Sequence, residues 1–129
     1  MERCRCHSRK AYHRCCEPLH RGRAAPDPVA LMRSRYCAYA RGDATYVMDT
    51  THPTQREQDV DAWRSSILAF CERTRFVDLR VEPVELAGDE AFVRFWATLS
   101  RDGQDASFGE RSRFARSEGR WMYMNGELD

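Results

Sequence analysis

RFVDLRVEPVEL, residues 75–86, is the stretch at which the hydrophobic pattern of the chain changes from helical to extended. Apolar and charged residues alternate within it: Val77, Leu79 and Val81 against Asp78, Arg80 and Glu82. A period of two places the two sets of side chains on opposite faces of a strand. The stretch therefore predicts the first strand of a sheet that has one apolar and one polar face.

Three further alternating segments follow this strand, and short turns separate them. The segments are residues 91–100, 107–116 and 121–124, and the turns are AGDE (87–90), RDGQD (101–105) and SEGR (117–120). Short turns between alternating segments are typical of an antiparallel meander. Strands of about ten residues exceed the usual length, which favours a strongly curved sheet.

Upstream of the sheet, the sequence predicts three helices. Asp27-Pro28 supplies an N-cap and a first helical residue, and Gly42 ends this helix. Asp43 caps a short second helix, which stops before His52-Pro53 because a residue that precedes proline avoids the helical region. The third helix runs through residues 59–74, and its apolar stripe is Trp63, Ile67, Phe70 and Cys71. Three helices followed by a meander predict an α+β domain with the helices on one face of the sheet.

The composition fits one small globular domain. The 129 residues are 42% hydrophobic and 32% charged, and no run approaches the roughly eighteen apolar residues of a membrane span. The first residues, MERCRCHSRK, are basic but lack the apolar run of a secretion signal. We therefore expect a cytoplasmic protein that does not associate with membranes.

Charge is unevenly distributed along the chain. Residues 1–25, called the head below, carry seven Arg or Lys against Glu2 and Glu17, a net charge of +5. The remainder, called the body, carries 14 basic and 18 acidic residues, a net charge of −4. The basic head is expected either to meet an acidic partner or nucleic acid, or to be a solvated surface beside a metal.

Four of the six cysteines lie in CRCHSRKAYHRCC, residues 4–16, with the spacing C-x-C-x8-C-C. A reducing cytosol and the close spacing disfavour disulfides, and this polar segment offers little core for inert thiols. Two close pairs of soft donors favour the third interpretation, a structural Zn²⁺ site without an open coordination position. His7 and His13 are candidate substitute ligands. Cys37 and Cys71 lie on apolar helix faces and are interpreted as small core residues.

The predicted zinc ligands are Cys4, Cys6, Cys15 and Cys16. Their spacing resembles the SEC-C motif, a small zinc-binding module at the C-terminus of the SecA translocase and at the ends of other bacterial proteins. That module usually reads C-P-C-G-S-G before its second pair of cysteines. In this chain Arg5 replaces the proline, and His7 and Arg9 replace the two glycines of the loop.

Two longer blocks, LMRSRYCAYARGDATYVMDTTHP (31–53) and ERSRFARSEGRWMYMNG (110–126), resemble the YchJ family of uncharacterised bacterial proteins. Members of that family combine SEC-C knuckles with a cone-shaped α+β domain of the nuclear transport factor two-like class. The resemblance implies a zinc knuckle with its linker at residues 1–25 and the cone-shaped domain at residues 26–129. A cone closed by helices at one end has room for a pocket on its concave side. One departure is Thr51, where the family has tryptophan.

Candidate pocket residues are few: His52, Glu110, Arg35 and Tyr36. His52 follows a helix end, where an imidazole serves as a general acid or base, or caps the preceding helix. Glu110 is predicted to face inward, with Arg33 or Arg35 as its ionic partner. Arg35 and Tyr36 are expected to line the same space. These residues form no recognisable catalytic arrangement, so the sequence does not predict an enzyme.

The second strand carries Phe92, Arg94 and Trp96 on one face. Interleaved aromatic and basic residues of this kind stack on single-stranded nucleic acid in some proteins. The same residues also suit a face that fills or flanks the core. We expect the second arrangement here.

The function that these features favour is that of a zinc-knuckle interaction protein. In this hypothesis a four-cysteine site orders the basic head, which docks an acidic partner protein. The cone-shaped domain then serves as a scaffold, with a ligand pocket or a homodimer surface. The alternatives are a small-molecule enzyme of isomerase or hydratase type inside the cone, and nucleic-acid binding through the head.

Overall fold

The computed structural model describes residues 2–129 and confirms the predicted α+β fold, with helices packed on a curved antiparallel sheet. The helices are α1 (Glu17–His20), α2 (Pro28–Arg41), α3 (Ala44–Asp49) and α4 (Val60–Arg73), with 3₁₀ turns at Tyr12–Arg14 and Pro53–Gln55. The strands are β1 (Thr74–Val81), β2 (Glu85–Ala87), β3 (Glu90–Arg101), β4 (Gln104–Asp105), β5 (Phe108–Ser117) and β6 (Arg120–Leu128). The sheet order is β1-β3-β5-β6, and the short β2 and β4 pair with β3. None of the helices within residues 2–129 has both the length and the hydropathy that a membrane crossing requires.

The helix boundaries follow capping residues. The side chains of Asp27 and Asp43 accept hydrogen bonds from amides three residues later, at 2.8 and 3.1 Å. Asp59 caps α4 in the same way, with a donor distance of 3.0 Å. Gly42 ends α2 with a φ of +75°, a left-handed conformation that glycine adopts at little cost. Each aspartate cap stabilises the first turn of its helix by about 1 kcal/mol. The starts of α2, α3 and α4 are therefore set by Asp27, Asp43 and Asp59.

The first strand contains an irregularity that its alternating pattern does not predict. In the pairing of β1 with β3, the register shifts between Phe76 and Asp78. The extra residue turns Val77 outward, where it is 53% exposed, whereas Leu79 is buried in the core. The prediction that Val77 shares a face with Leu79 is therefore wrong, because a bulge reverses the alternation at that point.

The main core lies between α2 and the inner face of the sheet. Its buried members are Leu31, Met32, Tyr36, Leu79, Ala91, Val93, Ala97, Leu99, Phe114 and Trp121. Phe114 on β5 is the largest side chain that is fully buried. A second cluster, which includes Val47 and Ile67, joins α3 and α4 to α2. The helices are thus held against one face of the sheet by apolar contacts.

The outer face of β3 is solvent-exposed and partly aromatic. Trp96 is 43% exposed, and the guanidinium of Arg111 lies 3.9 Å from the centre of the Phe92 ring. The expectation that Phe92, Arg94 and Trp96 fill or flank the core is therefore wrong. The core instead takes the odd-numbered residues of 91–99, because these point to the helical side of the strand.

Candidate functional site

The head brings together the sulfur atoms of Cys4, Cys6, Cys15 and Cys16. All four Sγ atoms lie within 4.8 Å of one another. The Sγ of Cys15 lies 3.6 Å from that of Cys6 and 3.9 Å from that of Cys16. All six cysteines are free thiols, and these separations exceed the roughly 2.05 Å of a disulfide bond. The structure therefore places the four predicted ligands in one cluster, in which three of them are buried.

Short backbone elements present the cysteines as two pairs. A bridge between Arg3 and Ala11 closes the loop that carries the first pair. Inside this loop the amide of Cys4 donates to the carbonyl of Lys10 at 2.8 Å. The 3₁₀ turn Tyr12–Arg14 then leads into the second pair, which directly precedes α1. Backbone hydrogen bonds within the head thus align the sulfur atoms.

The loop between the two pairs adopts backbone conformations that favour glycine. His7 and Arg9 have φ angles of +62° and +72°. They occupy the positions at which the SEC-C motif has its two glycines. A residue with a Cβ costs about 1–2 kcal/mol in this left-handed region. The loop therefore keeps the backbone conformation of the motif, but His7 and Arg9 adopt it with strain.

The sulfur cluster packs directly on α2. The Sγ of Cys37 lies 3.7 Å from that of Cys4, and Cys37 is fully buried. The interpretation of Cys37 as an apolar core residue is therefore incomplete, because it belongs to the thiol cluster. Arg33 also reaches this region and donates to the carbonyl of Cys6 at 2.8 Å. These contacts join the head to the first long helix of the body.

Histidines take structural positions around the cluster. His20 links the hydroxyl of Tyr12, at 2.7 Å, to the carbonyl of Ser34, at 2.9 Å. Neither His7 nor His13 belongs to the sulfur cluster. His13 is exposed, and the ring of His7 packs edge-on against an aromatic ring of α2.

Interactions among the thiols shift their pKa values in opposite directions. A hydrogen bond with the Cys16 thiol lowers the pKa of Cys4 to about 6. Burial raises the pKa of Cys15 to about 11, because its thiolate is poorly solvated. Hydrogen bonds with Cys16 and Cys4 likewise lower the pKa of Cys37, to about 4. The cluster thus favours the thiolate at some of its sulfurs and opposes it at Cys15, and a bound divalent cation would stabilise the thiolate form of each ligand.

A cavity of about 510 Å³ lies between the helices and the inner face of the sheet. Three of the four predicted pocket residues, Glu110, Arg35 and Tyr36, line it. His52 lies outside the described cavity wall, and its Nδ1 accepts a hydrogen bond from the amide of Thr54 at 3.2 Å. Both interpretations of His52 are therefore wrong: it does not enter the pocket, and it caps the turn that follows rather than the preceding helix.

Glu110 faces the cavity, as its position on the strand predicts. Its Oε2 accepts a hydrogen bond from the Ser112 hydroxyl at 2.6 Å and another from the Tyr123 hydroxyl at 3.3 Å. Burial and the nearby Glu110 carboxylate raise the pKa of Tyr123, so its phenol stays protonated and donates. The sequence analysis did not name Tyr123 as a cavity residue. Tyr123 lies two residues after the buried Trp121 on β6, and this period of two indicates that it faces inward.

The predicted ion pair of Glu110 with Arg33 or Arg35 is wrong. Arg33 is held by the carbonyl of the cysteine loop. Arg35 is buried, donates to the carbonyl of Val47 at 2.9 Å, and lies 4.4 Å from the centre of the Tyr123 ring. Arg33 thus donates to the cysteine loop and Arg35 to groups near the end of α3, and neither pairs with the carboxylate of Glu110.

Known proteins resemble this chain over nearly its whole length. A UPF0225 protein of Deinococcus radiodurans is 42% identical over 124 residues, which cover 95% of this chain and 86% of that protein. The solution structure of a SEC-C motif containing protein from Rhodopseudomonas palustris superposes with a TM-score of 0.85, at 40% identity over 99% of both chains. A SEC-C motif containing protein from Psychrobacter arcticus has the same fold, with a TM-score of 0.83, 23% identity and coverage of 100% of this chain and 84% of that one.

The family assignment agrees with these similarities. Residues 27–126 match the family model described as YchJ, middle NTF2-like domain. This range includes all helices and strands of the body except the last residues of β6. The chain therefore belongs to the YchJ-like family of UPF0225 proteins, and its body has the nuclear transport factor two-like fold.

Proposed function

We propose that Cys4, Cys6, Cys15 and Cys16 hold a structural Zn²⁺ ion that fixes the head on the body. The observation that carries the proposal is the convergence of four sulfur atoms within 4.8 Å of one another. The SEC-C motif in the names of two structural relatives supports it.

The donor set fits zinc. Four sulfurs at about 2.3 Å from one tetrahedral ion lie about 3.8 Å apart, close to the 3.6 and 3.9 Å separations in the cluster. Soft thiolate donors select ions such as Zn²⁺ over Mg²⁺ or Ca²⁺. Four protein ligands leave no position for water or substrate, so a bound ion supplies folding energy here and not catalysis.

The head also needs such an ion for its stability. Apart from cysteines, the buried apolar residues within residues 2–25 are Ala11, Tyr12 and Leu19. Burial of a large side chain contributes about 1.5–3 kcal/mol, whereas zinc contributes on the order of 10 kcal/mol to comparable knuckles. The ion therefore contributes most of the free energy that orders this segment.

We further propose that the ordered head docks an acidic partner protein. All seven cations of the head are exposed: Arg3, Arg5, Arg9, Lys10, Arg14, Arg21 and Arg23. Within residues 2–129, two of them have ion pairs, Arg5 with Glu2 and Arg21 with Glu17, each at 3.8 Å, and the other five have none. Cations that the fold leaves unpaired are available to an acidic surface and increase the rate of association with it.

Metal analysis tests the zinc proposal. We expect about one equivalent of zinc in protein purified without added metal, because one closed tetrahedral site is present. The double variant C4S/C15S is expected to lose it, whereas the control C71S, which removes a thiol outside the cluster, retains it. Less than about half an equivalent in the unaltered chain, or full retention by C4S/C15S, would contradict the proposal.

A pull-down from native lysate with these proteins tests the docking proposal. An acidic protein retained by the unaltered chain and by C71S should be lost with C4S/C15S, which disorders the head. It should also be lost with R14E, whereas R80E on the outer face of β1 should leave it in place. Equal retention by R14E and R80E would exclude a role for the charge of the head.

Relief of backbone strain in the cysteine loop is a separate prediction. The substitution R9G should tighten zinc binding roughly threefold, or about 0.5–1 kcal/mol, because glycine adopts the +72° φ angle without steric cost. The control R9A removes the same exposed charge but retains a Cβ, so it should bind no more tightly than the unaltered chain. A competition titration with a chromophoric chelator measures both, and equal affinities for the two variants would show that the loop is unstrained.

A further inference from the structure

The cavity inside the sheet has the size and walls of a small-molecule site. Its volume of about 510 Å³ falls in the range of roughly 300–1,000 Å³ that such sites occupy. Its walls are largely aromatic: Phe70 and Phe76 pack edge to face at 6.0 Å, and Phe95 and Phe108 do so at 5.8 Å. An apolar, ring-bearing molecule therefore matches the surface that the cavity offers.

The carboxylate of Glu110 has one oxygen that lacks a hydrogen-bond donor among the described residues. Both of its hydroxyl donors, Ser112 and Tyr123, bind its Oε2, and within residues 2–129 its Oε1 accepts no hydrogen bond. No Arg, Lys or His nitrogen of these residues lies within 4.0 Å of the carboxylate. A partly buried carboxylate without a cation is costly, so the site favours a ligand that brings one.

The other charged residues that line the cavity also favour a cationic ligand over an anionic one. Glu57 also lines it, so two carboxylates face one guanidinium, that of Arg35. The charge of Arg35 is already directed at Val47 O and the Thr50 hydroxyl, each at 2.9 Å, and at a tyrosine ring. An anionic ligand would meet two like charges and an occupied arginine, whereas a cation would meet carboxylates and aromatic faces.

From these observations we propose that the cavity binds a hydrophobic organic cation, an amine that carries an aromatic or aliphatic body. Its ammonium group pairs with Oε1 of Glu110, and its apolar body fills the space between the phenylalanine rings. Every residue that lines the cavity belongs to the body, so the proposed ligand would not contact the sulfur atoms of the head.

Gly126 shows how the carboxylate reaches its position. This residue lies on β6 opposite Ser112, and a Cβ placed on it would overlap the carboxyl group of Glu110. Its φ is not in the left-handed region, so alanine fits the backbone and only the flexible glutamate side chain has to move. The variant G126A therefore displaces the carboxylate without removing its charge.

Isothermal titration with three matched probes tests the proposal on the full chain: 2-phenylethylammonium, 2-phenylethanol and 3-phenylpropanoate. We expect the ammonium to bind most tightly and the carboxylate least. E110Q and G126A should each weaken ammonium binding about tenfold or more, because they remove or displace the paired charge. The control E127Q, which removes an exposed carboxylate from β6, should leave it unchanged.

A structural readout accompanies the titration. Trp63 lines the cavity, so its indole N–H resonance should shift with the ammonium probe, and the W63F variant assigns that signal. Tighter binding of 3-phenylpropanoate than of the ammonium, unchanged affinity in E110Q, or no binding of any probe would each overturn the proposal. Circular dichroism of each variant shows whether a loss of binding comes from unfolding.

Discussion

If the four cysteines hold zinc as proposed, its removal is expected to unfold residues 2–20 while the sheet stays folded. The head buries few apolar side chains, and a zinc ion bound to its four sulfurs would supply most of the free energy that orders it. The body, in contrast, has its own core between α2 and the sheet. Loss of the ion should therefore release the head locally.

Hydrogen exchange before and after chelation measures this effect. Amides of the cysteine loop, such as that of Cys4, should exchange roughly 100-fold faster or more after chelation, since each 1.4 kcal/mol is a factor of ten. Amides of β3 and β5 should change little. Readdition of zinc should restore protection in the unaltered chain but not in C4S/C15S, and full protection of the loop after complete metal removal would contradict the prediction.

The substitution F114A is expected to destabilise the body by about 3–5 kcal/mol, a large effect for a single change in the core. Phe114 is completely buried on β5 and packs edge to face with Tyr123 at 5.9 Å. Its removal loses the transfer free energy of the ring and leaves a space that merges with the inner cavity. Urea unfolding, followed by circular dichroism, measures the free energy of unfolding.

Phe92 provides the matched control for this substitution. It is a phenylalanine on the neighbouring strand β3, but it lies on the outer face beneath the guanidinium of Arg111. The variant F92A should cost about 1 kcal/mol, because the ring is only partly buried and leaves no enclosed space. Similar losses for F92A and F114A would mean that the inner face of the sheet is not the core.

The position of the candidate metal cluster illustrates how far sequence reasoning extends. The spacing of Cys4, Cys6, Cys15 and Cys16 predicts that they converge, and local backbone hydrogen bonds bring them together. Cys37 is 33 residues away from Cys4, and nothing in the helical pattern of α2 distinguishes it from an ordinary core residue. Its membership of the cluster depends on how the head packs against that helix.

In the cavity, too, the sequence predicted one feature correctly and another wrongly. Strand alternation predicts that Glu110 faces inward, and it does so. The prediction of its partner is wrong, because opposite charge alone favours an arginine, whereas geometry offers the Ser112 and Tyr123 hydroxyls. Arg35 lies close enough to line the same cavity, but its guanidinium is engaged by groups at the end of α3.

The amino-acid sequence by itself determined where α2, α3 and α4 begin, how many long strands follow them, and which four thiols lie together, whereas the short α1 was not predicted. Three of these features depend on residues that are near in sequence: helix caps such as Asp27, strand alternation, and the closure of the short cysteine loop. They can therefore be predicted from the local sequence. Only the tertiary structure decided the outward turn of Val77, the contact of Glu110 with Tyr123 and the contact of Cys37 with the cluster. Each of these depends on competition among distant groups of similar interaction energy, which the packing of the helices on the sheet resolves.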